Sequence, residues 1–291
     1  MIPNAYLQEW SAHAPWPDLR QVEQDLIISR ALCDLFNSKQ LQGKIAFRGG
    51  TAIHKLLFAK PLRYSEDIDL VQMQGEMIGT TVDAIRQALS WLGKPNRAQA
   101  AHSMHLVFRF TPEEGGSQLK LKVEINTREH KNLHGHKAYP FEVNSGWHQA
   151  KAEIVAFEPE EIFGTKLRAL LQRRKNRDLF DLNHGLLRLG LDRERVIACF
   201  QHYLALEGHP ISRANAEESM LRKLNQSLTE DIAPLLPAGV SFTDDDAIAA
   251  FGRVWGELVK RIPGDPWKSS QAVIEEIRKA KIPSLLNGVQ G

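Results

Sequence analysis

The 291-residue sequence is poor in cysteine and almost balanced in charge. Its two cysteines, Cys33 and Cys199, each lie within an apolar helical pattern. Two cysteines cannot by themselves supply a disulfide framework or a zinc site, so the sequence favours a reducing cytoplasm. The formal net charge of +2 excludes a strongly basic chain, and any nucleic-acid surface must therefore be a local patch.

Long apolar runs are also missing. No stretch approaches the roughly 20 apolar residues that a membrane span needs. The opening residues, MIPNAYLQEW, lack the basic and apolar regions of a secretory signal. Hydrophobic content of 43% and charged content of 25% are ordinary for a globular protein. We therefore expect a soluble cytoplasmic protein with no membrane partner.

The clearest motif lies in residues 45–70, IAFRGGTAIHKLLFAKPLRYSEDIDL. Gly49 and Gly50 interrupt a short apolar run, and Thr51 follows at the expected N-cap of a short helix. Glycine permits positive φ and lets another group approach the backbone closely. Because backbone N–H groups at a helix start attract phosphate, these three residues are predicted to form a phosphate-binding turn.

Two aspartates stand at the end of the same segment. Asp67 and Asp69 alternate with Ile68 and Leu70, so in a strand the aspartates share one face and the apolar pair faces the core. Their Cα atoms would lie about 6.6 Å apart. Either motif alone is more often an ordinary turn or a solvated acidic strand. Together, in this order, they predict a site for a divalent metal and a triphosphate.

The glycine turn, the helix and the Asp-x-Asp strand resemble the polymerase-β-like nucleotidyltransferases. The sequences RGGTAIHKL and RYSEDIDL resemble more narrowly the AbiEii/MenT family of nucleotidyltransferase toxins. The resemblance implies an α+β fold with a mixed-sheet lobe and an all-helical C-terminal lobe. Composition shifts near residue 150, so the expected domains are residues 1–150 and 151–291.

A hairpin is predicted after the motif. Residues 105–111 and 119–126 alternate in hydrophobicity around a glycine-rich turn. Glu124 lies on the polar face of the second strand, which is expected to lie beside the strand of Asp67 and Asp69. Glu124 is either a solvated glutamate or, as the superfamily resemblance implies, the third metal carboxylate.

Three histidines, His130, His134 and His136, follow among lysines and glycines. Their spacing permits a zinc site, but no cysteine is near them. A basic loop at a nucleic-acid or partner surface is the favoured interpretation.

Apolar spacing predicts the helices. Besides the short helix after Thr51, two are expected before residue 150 and six after it, separated by loops with glycine and proline. They are Leu19–Leu41, Thr81–Leu92, Pro159–Arg173, Arg177–Leu189, Arg193–Leu206, Ala214–Leu228, Asp244–Ile262 and Ser269–Lys281. The acidic run at residues 244–246 is expected to serve as helix-start chemistry rather than as a metal site.

A second constellation lies in residues 166–182, KLRALLQRRKNRDLFDL. Lys166 falls in the apolar stripe of its helix, so it either extends its ammonium to the surface or reaches a negative partner such as a triphosphate. Asp178 and Asp181 share a helix face; Asp178 is also a candidate capping residue. A basic patch between these groups is a solvated loop or a nucleic-acid contact. It comprises Arg173, Arg174, Lys175 and Arg177.

This segment resembles the later motifs of the AbiEii family. The resemblance implies that Gly49, Gly50 and Thr51 bind phosphates and that Asp67 and Asp69 hold Mg²⁺ or Mn²⁺. It also implies that Lys166 contacts the triphosphate and that Asp181, or less favourably Asp178, is the catalytic acid/base.

The same resemblance predicts the function. It implies a toxin that moves a nucleoside monophosphate from an NTP to an RNA acceptor, the tRNA 3′ end, which blocks translation. A cognate antitoxin is the implied protein partner. The alternatives are nucleotidylation of a small-molecule or protein hydroxyl, and a nucleotide-binding module without turnover.

Overall fold

A computed structural model describes residues 2–279 of the chain. These residues form two compact units. The first comprises the described residues up to Glu158 together with Leu235–Gly239, and the second comprises Pro159–Pro234 and the described residues from Val240. Among the described residues, no helix has the length and apolar character needed to cross a membrane.

The first unit is built on a seven-stranded mixed sheet with the order β3-β4-β5-β2-β1-β7-β6. Strand β2 pairs antiparallel with β1 and parallel with β5, and β1 pairs parallel with β7. The strands are β1 Ile45–Arg48, β2 Asp67–Gln72, β3 Asn96–Gln99, β4 Ser103–Phe110, β5 Leu119–Asn126, β6 His136–Asn144 and β7 Gln149–Phe157.

The central strands follow the alternation of their sequences. In β2, Ile68 and Leu70 are buried while Asp67 and Asp69 remain partly exposed. In β5 the buried residues are Leu121, Val123 and Ile125. This period of two confirms the predicted faces of both strands.

The last strand occupies residues that the sequence assigned to the start of the helical lobe. Composition shifts near residue 150, but residues 149–157 form β7 because Ala152, Ile154 and Ala156 alternate toward the buried face. The strand β6, which pairs with β7, includes part of the predicted basic loop. Small alanines carry a weak strand signal, which explains why the pattern was missed.

In chain order, the helical elements of the first unit lie before β1, between β1 and β2, and between β2 and β3. They are α1 Asn4–Trp10, α2 Leu19–Asn37, α3 Gly49–Ala52 with a π-helical turn Ile53–Leu57, α4 Ile78–Ala88, and a 3₁₀ turn Ser90–Leu92. Helix α1 was not predicted, because one short helix among prolines shows no readable periodicity.

A buried aspartate on α2 ties the N-terminal segment to the π-helical turn. The indole N–H groups of Trp10 and Trp16 donate to the two carboxylate oxygens of Asp25, at 2.9 and 3.4 Å. Lys55 Nζ donates to Asp25 Oδ1 at 2.6 Å and to Ser29 Oγ at 2.9 Å. Asp25 is 3% exposed, so this set of donors satisfies a charge that burial would otherwise make costly.

The second unit is helical. Its helices are α5 Pro159–Gln172, α6 Arg177–Arg188, α7 Arg193–Glu207, α8 Arg213–Lys223, α9 Asp244–Glu257 and α10 Ser270–Lys279. Each overlaps a predicted helix; the last two residues of the predicted Ser269–Lys281 lie outside the described residues. Thr243 and Asp246 form a capping box at the start of α9, which is the predicted role of this acidic run. A mixed sheet with a helical second part confirms the predicted α+β class.

Close packing in this unit depends on Gly185 in α6. A Cβ atom added there would lie 2.2 Å from a ring carbon of Phe163 on α5. Real Cβ contacts do not reach this distance, so α6 can approach α5 only because residue 185 has no side chain.

Gly185→Ala therefore is expected to lower the free energy of unfolding by about 1–3 kcal/mol, because overpacking exceeds the helix-propensity gain of alanine. Urea unfolding followed by circular dichroism measures the change. Gly79→Ala on α4 is the matched control, since a Cβ there meets nothing within 4 Å. It should leave stability unchanged or raise it by up to about 1 kcal/mol. Equal stability of both variants would contradict the packing argument.

Candidate active site

The turn after β1 and the aspartate pair of β2 meet in the first unit. Arg48 lies opposite Asp69 in the antiparallel β1–β2 register, and the chain turns immediately afterward at Gly49. Gly49 has φ +82°, a conformation that favours glycine. A Cβ atom at this position would lie 2.1 Å from Asp69 Oδ2. The backbone of the turn thus lies directly against the second carboxylate.

Thr51 does not cap the helix as predicted. Helix α3 begins at Gly49, and Arg48 is its N-cap residue. The helix therefore begins three residues earlier than predicted, which places Thr51 inside it. Its buried hydroxyl donates to the carbonyl of Asp67 and shares a 2.8 Å hydrogen bond with Ser65 Oγ. Thr51 therefore fixes the helix to the start of β2.

The carboxylate of Asp69 is in an electrostatically strained setting. Burial raises its pKa above the ordinary value, and the neighbouring charges of Asp67 and Glu124 raise it further. Lys122 and Arg48 counteract this only in part. Excess negative charge around a carboxyl group favours the binding of a cation.

Glu124 lies on the strand predicted to neighbour the aspartate pair. The parallel β2–β5 register places Asp67 opposite Lys122 and Asp69 opposite Glu124. Lys122 Nζ is 3.1 Å from Asp67 Oδ2 and 3.1 Å from Glu124 Oε2. His105 Nε2, on β4, lies 3.4 Å from the same oxygen of Glu124.

The donor set fits a magnesium or manganese ion with two protein ligands. Carboxylate oxygens suit Mg²⁺, which is commonly bound through one or two carboxylates, substrate phosphates and water. Asp67 and Asp69 provide such a pair, and the raised pKa of Asp69 marks unbalanced negative charge. Across residues 2–279, no three His, Cys, Asp or Glu side chains are placed to share one ion.

The second constellation forms one buried cluster in the second unit. Lys166 Nζ lies 3.0 Å from Asp178 Oδ1 and 2.9 Å from Asp181 Oδ2. Both aspartates are 0% exposed and Lys166 is 6% exposed. The lysine in the apolar stripe thus reaches negative partners within its own unit.

Asp178 is further stabilised in its charged form by Arg173. The guanidinium donates to both oxygens, with Nε–Oδ2 and Nη2–Oδ1 distances of 2.7 and 2.8 Å. Burial opposes ionisation of Asp178, but the charges of Lys166 and Arg173 outweigh it and hold its pKa below the ordinary value. Asp178 lies in the first turn of α6, whose N-cap residue is Asn176.

The four residues of the basic patch differ in their contacts and in their exposure. Arg173 is bound to Asp178, whereas the side chains of Arg174 and Lys175 are exposed, and Arg177 is partly buried at the start of α6. Arg173 and Arg174 also line a cavity of about 420 Å³ that includes Arg222, Lys223 and Glu218. The patch therefore borders a mostly basic recess of the second unit.

Two residues of the histidine run, His130 and His136, form hydrogen bonds with a backbone carbonyl and with a side chain, respectively. His130 Nδ1 bonds to the carbonyl oxygen of Gln72 at 2.7 Å, and His136 lies within 3.0 Å of Asn132 Nδ2. The first contact attaches the segment to the end of β2, and the second joins two residues within the segment.

Several charged residues near the aspartate pair were not singled out from the sequence. Lys122 was visible only as one member of a lysine–glutamate alternation. Arg48 pairs with Glu129, and both side chains are largely buried. Of these residues, only Lys122 could be assigned to the face of Glu124 from the alternation of its strand, although its pairing with Asp67 could not be predicted.

Lys166→Met is expected to destabilise the second unit by about 3–5 kcal/mol, because it leaves the Asp181 carboxylate buried without this ammonium. Lys223→Met is the control, since Lys223 Nζ donates to the carbonyl of Arg173 at 2.8 Å and its loss costs about 1 kcal/mol. Urea unfolding measures both. Adding Asp181→Asn to the first variant should recover much of the stability, and a Lys166→Met protein as stable as the parent would refute the assigned pairing.

Comparison with solved structures shows the same fold in another protein. The structure of MenT4, a nucleotidyltransferase toxin from Mycobacterium tuberculosis H37Rv, is 18% identical and superimposes with a TM-score of 0.60. The match covers 98% of this chain and 99% of MenT4, and it shows a shared fold. JHP933 from Helicobacter pylori matches at 15% identity with a TM-score of 0.49, over 95% of this chain and 100% of its own. No curated protein matches significantly.

The family comparison is more direct. The model of the family described as "Nucleotidyl transferase AbiEii toxin, Type IV TA system" matches residues 30–257, which include the glycine turn, the aspartate pair and the Lys166 cluster. Because this match spans well over half of the sequence, the chain belongs to the AbiEii family of nucleotidyltransferase toxins of type IV toxin–antitoxin systems.

Proposed function

We propose that this toxin transfers a nucleoside monophosphate from an NTP to an RNA acceptor, the tRNA 3′ end, in a reaction that depends on Mg²⁺ or Mn²⁺. The modified tRNA would no longer support translation, and a cognate antitoxin would counteract the toxin in a cytoplasmic setting. Membership of a type IV toxin family supports the toxin and transferase parts of this proposal.

The observation that carries the proposal is the contact between the glycine turn and Asp69. A side chain on Gly49 would collide with the Asp69 carboxylate at 2.1 Å, so backbone and carboxylate are adjacent. Free N–H groups at a helix start bind phosphate oxygens. We therefore assign Gly49, Gly50 and Thr51 to the phosphates of the NTP, beside the carboxylates that hold the metal.

Asp67 and Asp69 would hold the metal ion, which when bound draws charge from the α-phosphate and assists the departure of pyrophosphate. Glu124 faces the same proposed site from β5, where it pairs with Lys122. The remaining work of these residues is orientation: β2 fixes the two aspartates and Thr51 fixes the turn. Phosphoryl and nucleotidyl transfers rely mainly on positioning and charge neutralisation, which these residue types provide.

The Lys166 cluster is assigned from the family resemblance. Lys166 is proposed to bind the triphosphate, and Asp181 is proposed to accept the proton of the attacking hydroxyl. Asp178 is the weaker candidate because Lys166 and Arg173 hold its pKa below the ordinary value, and a carboxylate with a low pKa is a poor base.

The acceptor is proposed to be RNA because of the basic patch. Arg174 and Lys175 are exposed, and they adjoin the recess that contains Arg222 and Lys223. Arg173 and Arg177 complete the proposed nucleic-acid surface. Several exposed cations next to one another suit a phosphate backbone better than a single small hydroxyl compound.

The first prediction concerns Asp69. Asp69→Asn should lower transfer from labelled NTPs to total RNA by about 100-fold or more, since it removes a metal-binding charge. Its free energy of unfolding should be unchanged or higher, because burial and neighbouring carboxylates disfavour the charged form of Asp69. The assay is run with each of the four nucleotides and with growth inhibition in parallel.

Asp83→Asn is the matched control for this variant. Asp83 is an exposed acid of the same unit, paired with Arg86 at 3.0 Å on α4, and its loss should leave transfer intact. An Asp69→Asn protein that still transfers label would contradict the proposal. A variant that stays fully toxic without transfer would favour a binding module without turnover, and label on a small molecule or protein alone would favour that acceptor class.

The second prediction concerns the RNA surface. Arg174→Glu combined with Lys175→Glu should weaken tRNA binding about tenfold near 0.1 M salt and reduce the salt dependence of the affinity. Fluorescence anisotropy at several salt concentrations measures both quantities. Lys268→Glu, an exposed charge reversal elsewhere in the second unit, should have little effect. Unchanged binding by the double variant would remove the patch from the acceptor site.

A further inference from the structure

A lysine lies among the carboxylates of the proposed metal site. Lys122 Nζ lies 3.1 Å from Asp67 Oδ2 and 3.1 Å from Glu124 Oε2. The parallel pairing of β2 with β5 produces this arrangement, because it sets Asp67 opposite Lys122 and Asp69 opposite Glu124. All four side chains therefore belong to one face of the sheet.

The ammonium group is firmly held in this position. Lys122 Nζ donates to Glu124 Oε2 and lies within ion-pair distance of Asp67 Oδ2, so carboxylates on two neighbouring strands hold it. Its side chain is 33% exposed, so the ion pairs are only partly screened by water.

Glu124 is already committed to partners other than a metal. Its Oε2 atom accepts from Lys122 and lies 3.4 Å from His105 Nε2, which itself lies 2.8 Å from Ser103 Oγ. A divalent ion bridging Asp67 and Glu124 would have to displace the ammonium from between them. Two cations that close together repel each other strongly.

We propose that Lys122 is a built-in counter-cation that limits this carboxylate face to one divalent ion, held by Asp67 and Asp69. Glu124 then acts as a positioning residue. It holds Lys122 in place and affects metal binding through the lysine, not as a ligand. The inference rests on the proposed metal site, and it specifies how many ions that site accepts and why.

The inference is tested by counting bound Mn²⁺ without nucleotide. Calorimetric titration and the electron paramagnetic resonance signal of free Mn²⁺ give affinity and stoichiometry, and anomalous scattering from crystals soaked in MnCl₂ counts the ions directly. The parent protein should take one ion. Lys122→Met should take a second ion and bind the first about tenfold more tightly, because Asp67 loses its competing ammonium.

Three further variants separate this effect from a general change in the strand. Lys120→Met removes an exposed lysine two residues earlier on the same face of β5, and it should leave the count at one. Lys122→Arg keeps the positive charge and should also leave one ion. Lys122→Gln repeats the test with a polar side chain, and it decides the outcome if the methionine variant does not fold.

Glu124→Gln identifies the ligands of each ion. In the parent background it should leave one ion bound, whereas in the Lys122→Met background it should abolish the second. Loss of the single ion in the Glu124→Gln protein would overturn the inference, because Glu124 would then be a direct ligand. Two ions in the parent protein, or unchanged stoichiometry and affinity in both Lys122→Met and Lys122→Gln, would also overturn it.

The outcome is separable from the proposed function because no turnover is measured. A parent protein that binds one Mn²⁺ and gains a second without Lys122, yet transfers no nucleotide, would support the inference and refute the proposed reaction. A parent protein that transfers nucleotide and binds two ions would support the proposed reaction and refute the inference.

Discussion

The first unit depends on the antiparallel pairing of β1 with β2. This pairing sets Arg48 opposite Asp69 and brings the next residue, Gly49, into contact with the Asp69 carboxylate. No residue with a Cβ atom fits there, and the positive φ would disfavour one in any case. The turn is therefore joined closely to both α3 and the acidic face of β2. Thr51 strengthens this connection by donating a hydrogen bond to the carbonyl of Asp67.

The two clusters of charged residues differ in their balance of positive and negative charge, so they are expected to differ in what they bind. On the sheet, three carboxylates share one face with the ammonium of Lys122, which contacts two of them, and the pKa of Asp69 is raised because burial and its acidic neighbours disfavour its charge. In the helical unit, two buried aspartates face Lys166 and Arg173, and the pKa of Asp178 is lowered. The first cluster carries excess negative charge, which would favour a cation, whereas the second already contains its counter-charges.

Local patterns made much of this architecture predictable. Alternation in β2 and β5 revealed the aspartate face and the position of Glu124, and the apolar stripe of α5 revealed that Lys166 is buried. The place of Lys122 could not be predicted, because it follows from the register between strands far apart in the chain. Helix α1 and strand β7 were missed for a different reason: prolines obscured the one and alanines weakened the signal of the other.

The tryptophan–aspartate network of the N-terminal segment has an architectural consequence. Trp10 and Trp16 donate to the carboxylate that also binds Lys55, and Lys55 belongs to the π-helical turn directly after α3. A segment remote in sequence thereby braces the π-helical turn that continues α3. Relatives that dispense with both indoles must supply other donors to the buried carboxylate or replace the aspartate and the lysine together, so these four positions should covary as one unit.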